Sequence, residues 1–169
     1  VVSEPTAVTV LVEQERARST RRGRLGAMWV ELRPSQWVKN LFVLAPLFFS
    51  QQLFSPDSVR RALVALGLFC VMSSSVYLLN DLADREQDRL HPEKRHRPLA
   101  SGVLGVGIAR LVLAGLWLFA LVGGTFLSKP FAAILAAYWL LNLLYTLRLK
   151  HLVILDVFAI AGGFLLRVV

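Results

Sequence analysis

NDLADREQDRLHPEKRHRPLASG, Asn80 to Gly102, interrupts an otherwise apolar chain with five acidic and five basic side chains. Its aspartates recur at helical spacing, Asp81, Asp84 and Asp88 falling at i, i+3 and i+7. Asn80 lies one turn before Asp84, and Asp84 one turn before Asp88. A helix would therefore carry Asn80, Asp84 and Asp88 on one stripe. Like charges so spaced repel, which costs stability unless a cation sits among them. Beside membrane spans, the stripe points to a divalent metal and an anionic ligand. The competing reading is a solvated loop with an ordinary Asp81–Arg85 pair at i, i+4.

The runs on either side of this segment decide the fold class. The chain has 169 residues, 56% of them hydrophobic, with a mean hydropathy of +0.58. Such a composition belongs to an integral membrane protein. Apolar runs cover roughly residues 37–54, 62–79, 108–127 and 131–147, and a fifth begins near Leu152. Each approaches the ~20 residues that cross a hydrocarbon core. Continuous apolar runs fit helices, whose backbone groups pair internally, and not an alternating β-barrel. The expected fold is an all-α, multi-span transmembrane helix bundle. Ser55-Pro56 and Lys129-Pro130 are expected at the turns between spans.

A net charge of +8 would suit nucleic acid, but no basic patch lies on a reading module, so no nucleic-acid partner is expected. Sorting Lys and Arg by side puts Arg60, Arg61, Lys129 and Arg167 on one face and the other 15 of 19 opposite. The positive-inside rule then makes the N-terminus and both polar loops cytoplasmic, in a multi-pass protein of the plasma (inner) membrane. Residues 1–30 form a basic arm with Arg16, Arg18, Arg21, Arg22 and Arg24, and no apolar signal-peptide core. Cys70, the single cysteine, reads as packing. His91, His96 and His151 lack zinc spacing, and the paired glycines of LVGGTF and IAGGFL suit close helix packing.

Three groups carry chemistry. The aspartate oxygens are hard ligands suited to Mg²⁺ or Mn²⁺, which bind few carboxylates together with phosphate oxygens, so a diphosphate ligand is expected. Arg89, Lys94, Arg95 and Arg97 follow at once and suit phosphate. In YTLRLKHLVILD, residues 145–156, Tyr145 and Lys150 close the fourth span and Asp156 lies about one turn into the fifth. An ionisable group there is a functional candidate. Arg167, eleven residues beyond Asp156, points the same way into the bundle. The alternative has Asp156 snorkelling and Arg167 facing the far headgroups. In RPSQWVKNLFVLAP, residues 33–46, Lys39 and Asn40 start the first span, and Trp37 also reads as an interfacial belt residue.

Asn80-Asp81-x-x-Asp84-x-x-x-Asp88, followed by Arg97-Pro98-Leu99-x-Ser101-Gly102, resembles the first aspartate-rich motif of the UbiA superfamily of membrane prenyltransferases. Arg33-Pro34-x-Gln36-Trp37-x-Lys39-Asn40, with Tyr145, Lys150 and Asp156, resembles one branch, which transfers phosphoribosyl to decaprenyl phosphate. That resemblance implies a nine-helix bundle of which residues 31–169 are the N-terminal half, ending within span five. It implies a Mg²⁺-dependent pentosyltransferase joining phosphoribosyl pyrophosphate to a polyprenyl phosphate, for arabinogalactan and lipoarabinomannan in cell wall biogenesis. Asn80, Asp84 and Asp88 would hold the metal, and Asp81, Asp84, Asp88, Tyr145, Lys150 and Asp156 would be catalytic. Lys39, Asn40, Arg89, Lys94, Arg97 and Arg167 would bind substrate. The oligomeric state stays open, a homo-oligomer being one option. The rivals are a UbiA-type enzyme moving a prenyl group onto an aromatic acceptor, a cation-binding channel or transporter, and a membrane scaffold.

Overall fold

The computed structural model describes Gly23, residues 25–148 and residues 153–168, with side chains of the last helix from Val157 onward. The described residues form helices and turns, without strands. Residues 25–31 are helical and lead into a 3-10 segment, Pro34–Leu44, that continues as the short α-turn Ala45–Phe49. Helix α1 is Pro56–Ala83 and α2 is Arg85–Leu90. Two short turns follow, Lys94–His96 and Pro98–Ser101. Helices α3 (Val106–Leu127), α4 (Lys129–Leu147) and α5 (Val153–Val168) complete the bundle.

Among the described residues three helices, α1, α3 and α4, are long and apolar enough to cross a membrane. The first expected span differs from its forecast of residues 37–54. It runs as eleven 3-10 residues and five α residues. A 3-10 helix rises ~2.0 Å per residue against ~1.5 Å for an α-helix, so this shorter segment still reaches about 30 Å, one hydrocarbon core. The dipeptides expected at the turns between spans lie there and open the helices that follow. Ser55 caps α1 by accepting from the Ser58 N–H at 3.4 Å, with Pro56 in the first turn. Ser128 caps α4 by accepting from the Phe131 N–H at 3.2 Å, with Lys129-Pro130 inside the first turn.

The 28 residues of α1 extend about 42 Å, longer than the hydrocarbon core, so Asn80 and Asp81 emerge at its end. α1 is the central element and packs against the 3-10 segment, α3 and α4, while α5 packs on α4 and the 3-10 segment. Leu68, Phe69, Met72 and Val76 of α1 meet Ala120, Leu135 and Tyr138 in the main core. Gly124 brings α3 against α4, since a Cβ there would lie 3.2 Å from Ala132 Cα. A second core joins Leu78, Leu99, Leu104 and Ala109. It pins the RPLASG segment against the end of α1. Gly102, at φ 83°, ends the Pro98–Ser101 turn in the left-handed region that glycine adopts freely.

Candidate active site

The acidic motif spans the α1–α2 junction, and Asp84 is the bend between them, with φ −91° and ψ 3°. The i→i+4 backbone bonds survive the bend: the Asp84 N–H donates to Asn80 O at 2.9 Å and the Asp88 N–H to Asp84 O at 2.8 Å. The side chains nevertheless part: Asn80 meets Thr146 of α4, and Asp88 shares Arg97 with Asp81.

The acids separate by environment. Asp81 and Asp88 are buried, whereas Asn80 and Asp84 are half-buried. Arg33 donates through one nitrogen to both Asp81 oxygens, at 2.6 and 2.8 Å. Arg97 Nη1 donates to Asp81 Oδ1 at 2.9 Å and to Asp88 Oδ2 at 2.7 Å. The cation that these like charges demanded is thus, for Asp81 and Asp88, a guanidinium. Arg33 itself has φ 49°, a left-handed backbone uncommon outside glycine, at the junction of residues 25–31 with the 3-10 segment.

Glu31 joins this cluster. It is 2% exposed, and its Oε1 accepts the Leu99 N–H at 2.8 Å. Burial first, and then the hydrogen bond with Asp81, push its carboxyl up from the ordinary 4.5 to about 7. A protonated Glu31 leaves two carboxylates, Asp81 and Asp88, facing two guanidiniums, a balanced set for a buried site. Arg85 Nε donates to Leu99 O and Arg89 Nε to Ala100 O, both at 3.1 Å. RPLASG is therefore clamped through its backbone from three sides.

Beside this cluster lies a cavity of about 300 Å³ whose lining includes Lys39, Tyr77, Asn80, Asn142, Tyr145 and Arg167. Asn80 is anchored there by the Thr146 hydroxyl, which donates to its Oδ1. Arg167, 8% exposed, donates from Nε to Asn40 Oδ1 at 2.9 Å, from Nη1 to Gly163 O at 2.7 Å and from Nη2 to the Tyr138 hydroxyl oxygen at 2.8 Å. Its guanidinium also lies over the Tyr138 and Phe164 rings. Asn40 is fully buried and donates to Ser73 Oγ at 2.9 Å, which fixes the amide. A larger cavity of about 470 Å³, mostly apolar, opens at the other end of the bundle, by Ser58, Leu127 and Pro130.

The expected residues thus divide between two places. Lys39, Asn80, Tyr145 and Arg167 share the cavity, with Asn40 behind Arg167. Charge sorting had put Arg167 on the far side of the membrane; it is instead buried among bundle side chains, since α5 packs on α4 and the 3-10 segment. Asp81, Asp88 and Arg97 form the ion-pair cluster. Arg89 holds Ala100 O and Glu86, and Lys94 and Arg95 are exposed. Lys150 and the Asp156 side chain lie outside the described residues. Sequence reasoning missed Glu31, Tyr138 and Thr146. Tyr138, Asn142 and Thr146 recur every fourth residue of apolar α4, a polar stripe that was open to reading.

Among the described residues no three His, Cys, Asp or Glu side chains converge as a metal cluster. Mg²⁺ does not require one, because it keeps waters and phosphate oxygens around one or two protein ligands. Asn80 and Asp84, hard oxygen donors one turn apart and half-buried, fit that requirement. Asn80 Oδ1 already accepts from Thr146 and Asp88 Oδ2 from Arg97, so a metal would use the remaining lone pairs of Asn80 Oδ1 and the second oxygen of Asp88.

The UbiA prenyltransferase family model matches residues 41–169. The chain belongs to the UbiA prenyltransferase family. It is 36% identical, over 99% of its length, to a decaprenyl-phosphate phosphoribosyltransferase of Corynebacterium glutamicum, covering 51% of that protein. Proteins of the same name from Mycolicibacterium smegmatis and Mycobacterium tuberculosis are 37% and 35% identical over 82% of this chain, covering 45% and 47% of theirs. The chain spans about half the length of the curated relatives it matches. The family resemblance read from the aspartate motif is thereby borne out, together with the helical membrane fold.

Proposed function

We propose that the protein of which this chain is part transfers phosphoribosyl from phosphoribosyl pyrophosphate to a polyprenyl phosphate such as decaprenyl phosphate. The observation that carries this reading is the lining of the cavity: Asn80 at one side, Lys39 and Arg167 at others, and no carboxylate among the lining residues described. Val76, Leu141, Ile160 and Phe164 line the same cavity, so it can take an anionic group beside the first carbons of a polyprenyl chain. The relatives that bear a phosphoribosyltransferase name favour phosphoribosyl pyrophosphate over a prenyl diphosphate as the donor.

Asn80 and Asp84 would hold the metal, with Asp88 beside them in its pairing with Arg97. Mg²⁺, or Mn²⁺, supplies positive charge to the diphosphate when bound. A phosphate oxygen of the acceptor attacks C1 of the ribose. One C–O bond forms there as the bond to pyrophosphate breaks, and pyrophosphate leaves with the electron pair. The attacking oxygen is already anionic, so positioning and stabilisation of the leaving group carry the rate. Tyr145, Lys150 and Asp156 are candidates for contacts at the reacting end. With Arg167 inside the bundle, the other 18 basic residues still divide 15 to 3, which supports a cytoplasmic N-terminus and site in the plasma membrane. The product would feed cell-wall arabinan.

Incubating the full-length protein in proteoliposomes with each donor tests this. Phosphoribosyl pyrophosphate with polyprenyl phosphate should give a phosphoribosylated lipid and pyrophosphate, abolished by a chelator. Turnover of a prenyl diphosphate with an aromatic acceptor, and none with phosphoribosyl pyrophosphate, would reject it.

A further inference from the structure

Arg167 is buried in the bundle, yet its polar partners among the described residues are all neutral: the Asn40 amide, the Gly163 carbonyl and the Tyr138 hydroxyl. The ion pairs among the described residues belong to Arg33, Arg60, Arg85, Arg89 and Arg97, not to Arg167. A guanidinium has five N–H donors, and these three bonds leave two. Its orientation is over-determined, because Asn40 is itself fixed by Ser73 and Tyr138 is packed in the main core. A cation desolvated without an opposing charge is costly, and inside a membrane bundle it marks a place where an anion binds. Arg167 lies between the two cavities and lines both. The one bordered by Asn80 adds a second cation, Lys39, and three tyrosines, Tyr77, Tyr138 and Tyr145.

We propose that Arg167, aimed by Asn40 and Tyr138 and joined by Lys39, binds a phosphate monoester within the cavity bordered by Asn80. This rests on the phosphoribosyl reading, and it separates two anion sites that the reading alone does not. Asn80 and Asp84, with the metal, take the diphosphate. Arg167 takes a terminal phosphate, which a guanidinium fork grips through paired N–H donors. That group has two sources in the reaction: the 5-phosphate of the donor, or the phosphate that ends the lipid acceptor.

The test uses the full-length protein in proteoliposomes, comparing wild type with Arg167→Gln, Arg167→Lys and Lys39→Gln. Loss of one or two charge-assisted bonds should raise one KM on the order of tenfold to a hundredfold in Arg167→Gln, with kcat changed less. Arg167→Lys, which keeps the charge but not the fork, should fall between, and Lys39→Gln should raise the same KM. If the donor's KM rises, and the variant no longer discriminates against ribose 1-pyrophosphate lacking the 5-phosphate, the site holds the donor. If the polyprenyl phosphate KM rises with the donor's unchanged, it holds the acceptor. Wild-type values of both KM in the folded variants overturn the proposal and make Arg167 a packing element. Should Arg167→Gln fail to fold, Arg167→Lys and Lys39→Gln decide by the same criterion. Failure of wild type to use phosphoribosyl pyrophosphate is a separate result, and it removes the underlying reading.

Discussion

At the end of α1, Asp81 and Asp88 face Arg33 and Arg97 in a balanced set, whereas Arg167 in the neighbouring cavity is hydrogen-bonded, among the described residues, to neutral groups alone. Both regions are polar, buried and built on the same helix bundle. They differ in whether the protein itself supplies the opposing charge. Where it does, the charges hold RPLASG and residues 25–33 against the end of α1, and removing one partner strands the other. Where it does not, the cost is offset by a ligand. Within the acidic motif Asp81 and Asp88 carry these ion pairs and serve the fold, whereas Asn80 borders the cavity and, with Asp84, is the metal site proposed above.

The largest effect that sharpens this division is on turnover. Asp84→Asn should lower kcat/KM on the order of a thousandfold, the scale for losing charge stabilisation at a leaving group, in a protein that still folds. A comparable loss of turnover from Asp88→Asn alone, without loss of stability, would break the division. Next, Arg97→Ala should destabilise the protein by about 3 kcal/mol, because it leaves Asp81 and Asp88 short of a partner. Adding Asp88→Ala to it should cost less than the two separate losses combined. Additive losses in that cycle would mean that Arg97 and Asp88 do not interact.

A smaller effect concerns pH. The folded pKa of Glu31 lies above its ordinary value, at about 7 against 4.5. Protonation therefore favours the folded form: the contribution is full below 4.5 and is lost as pH rises through about 7. Melting temperature should fall across that window in wild type and flatten in Glu31→Gln. An unchanged slope in the variant would assign the titration elsewhere. The smallest effect is expected from Arg60→Ala. The Asp57–Arg60 pair is exposed at the start of α1, so no measurable change in melting is expected.

Much of this was legible from the chain. The apolar runs 108–127 and 131–147 differ from α3 and α4 by two residues at their starts, where Gly105 and Ser128 hold the N-cap positions. The run 62–79 understated α1 more, because the Ser55–Pro56 cap lies before it and Asn80 and Asp81 stay helical after it leaves the bilayer. Arg167 stood out as an ionisable group in a span. The pairing of Asp81 was not readable, since Arg33 is 48 residues away and Arg97 16. Nothing in local periodicity couples such positions; packing does. Glu31 was hidden for the same reason, being tied to Leu99 across 68 residues.

The most direct measurement is the donor-dependent melting shift of the full-length protein, with Mg²⁺ and phosphoribosyl pyrophosphate, in wild type, Asp84→Asn and Asp81→Asn. A ligand that binds only the folded state raises its melting temperature. Asp84→Asn should still fold without ligand and lose the rise that ligand brings. Asp81→Asn should melt lower without ligand and still rise when ligand is added. The reverse pattern, Asp81→Asn stable but silent to ligand and Asp84→Asn unstable but responsive, would contradict the division of the motif.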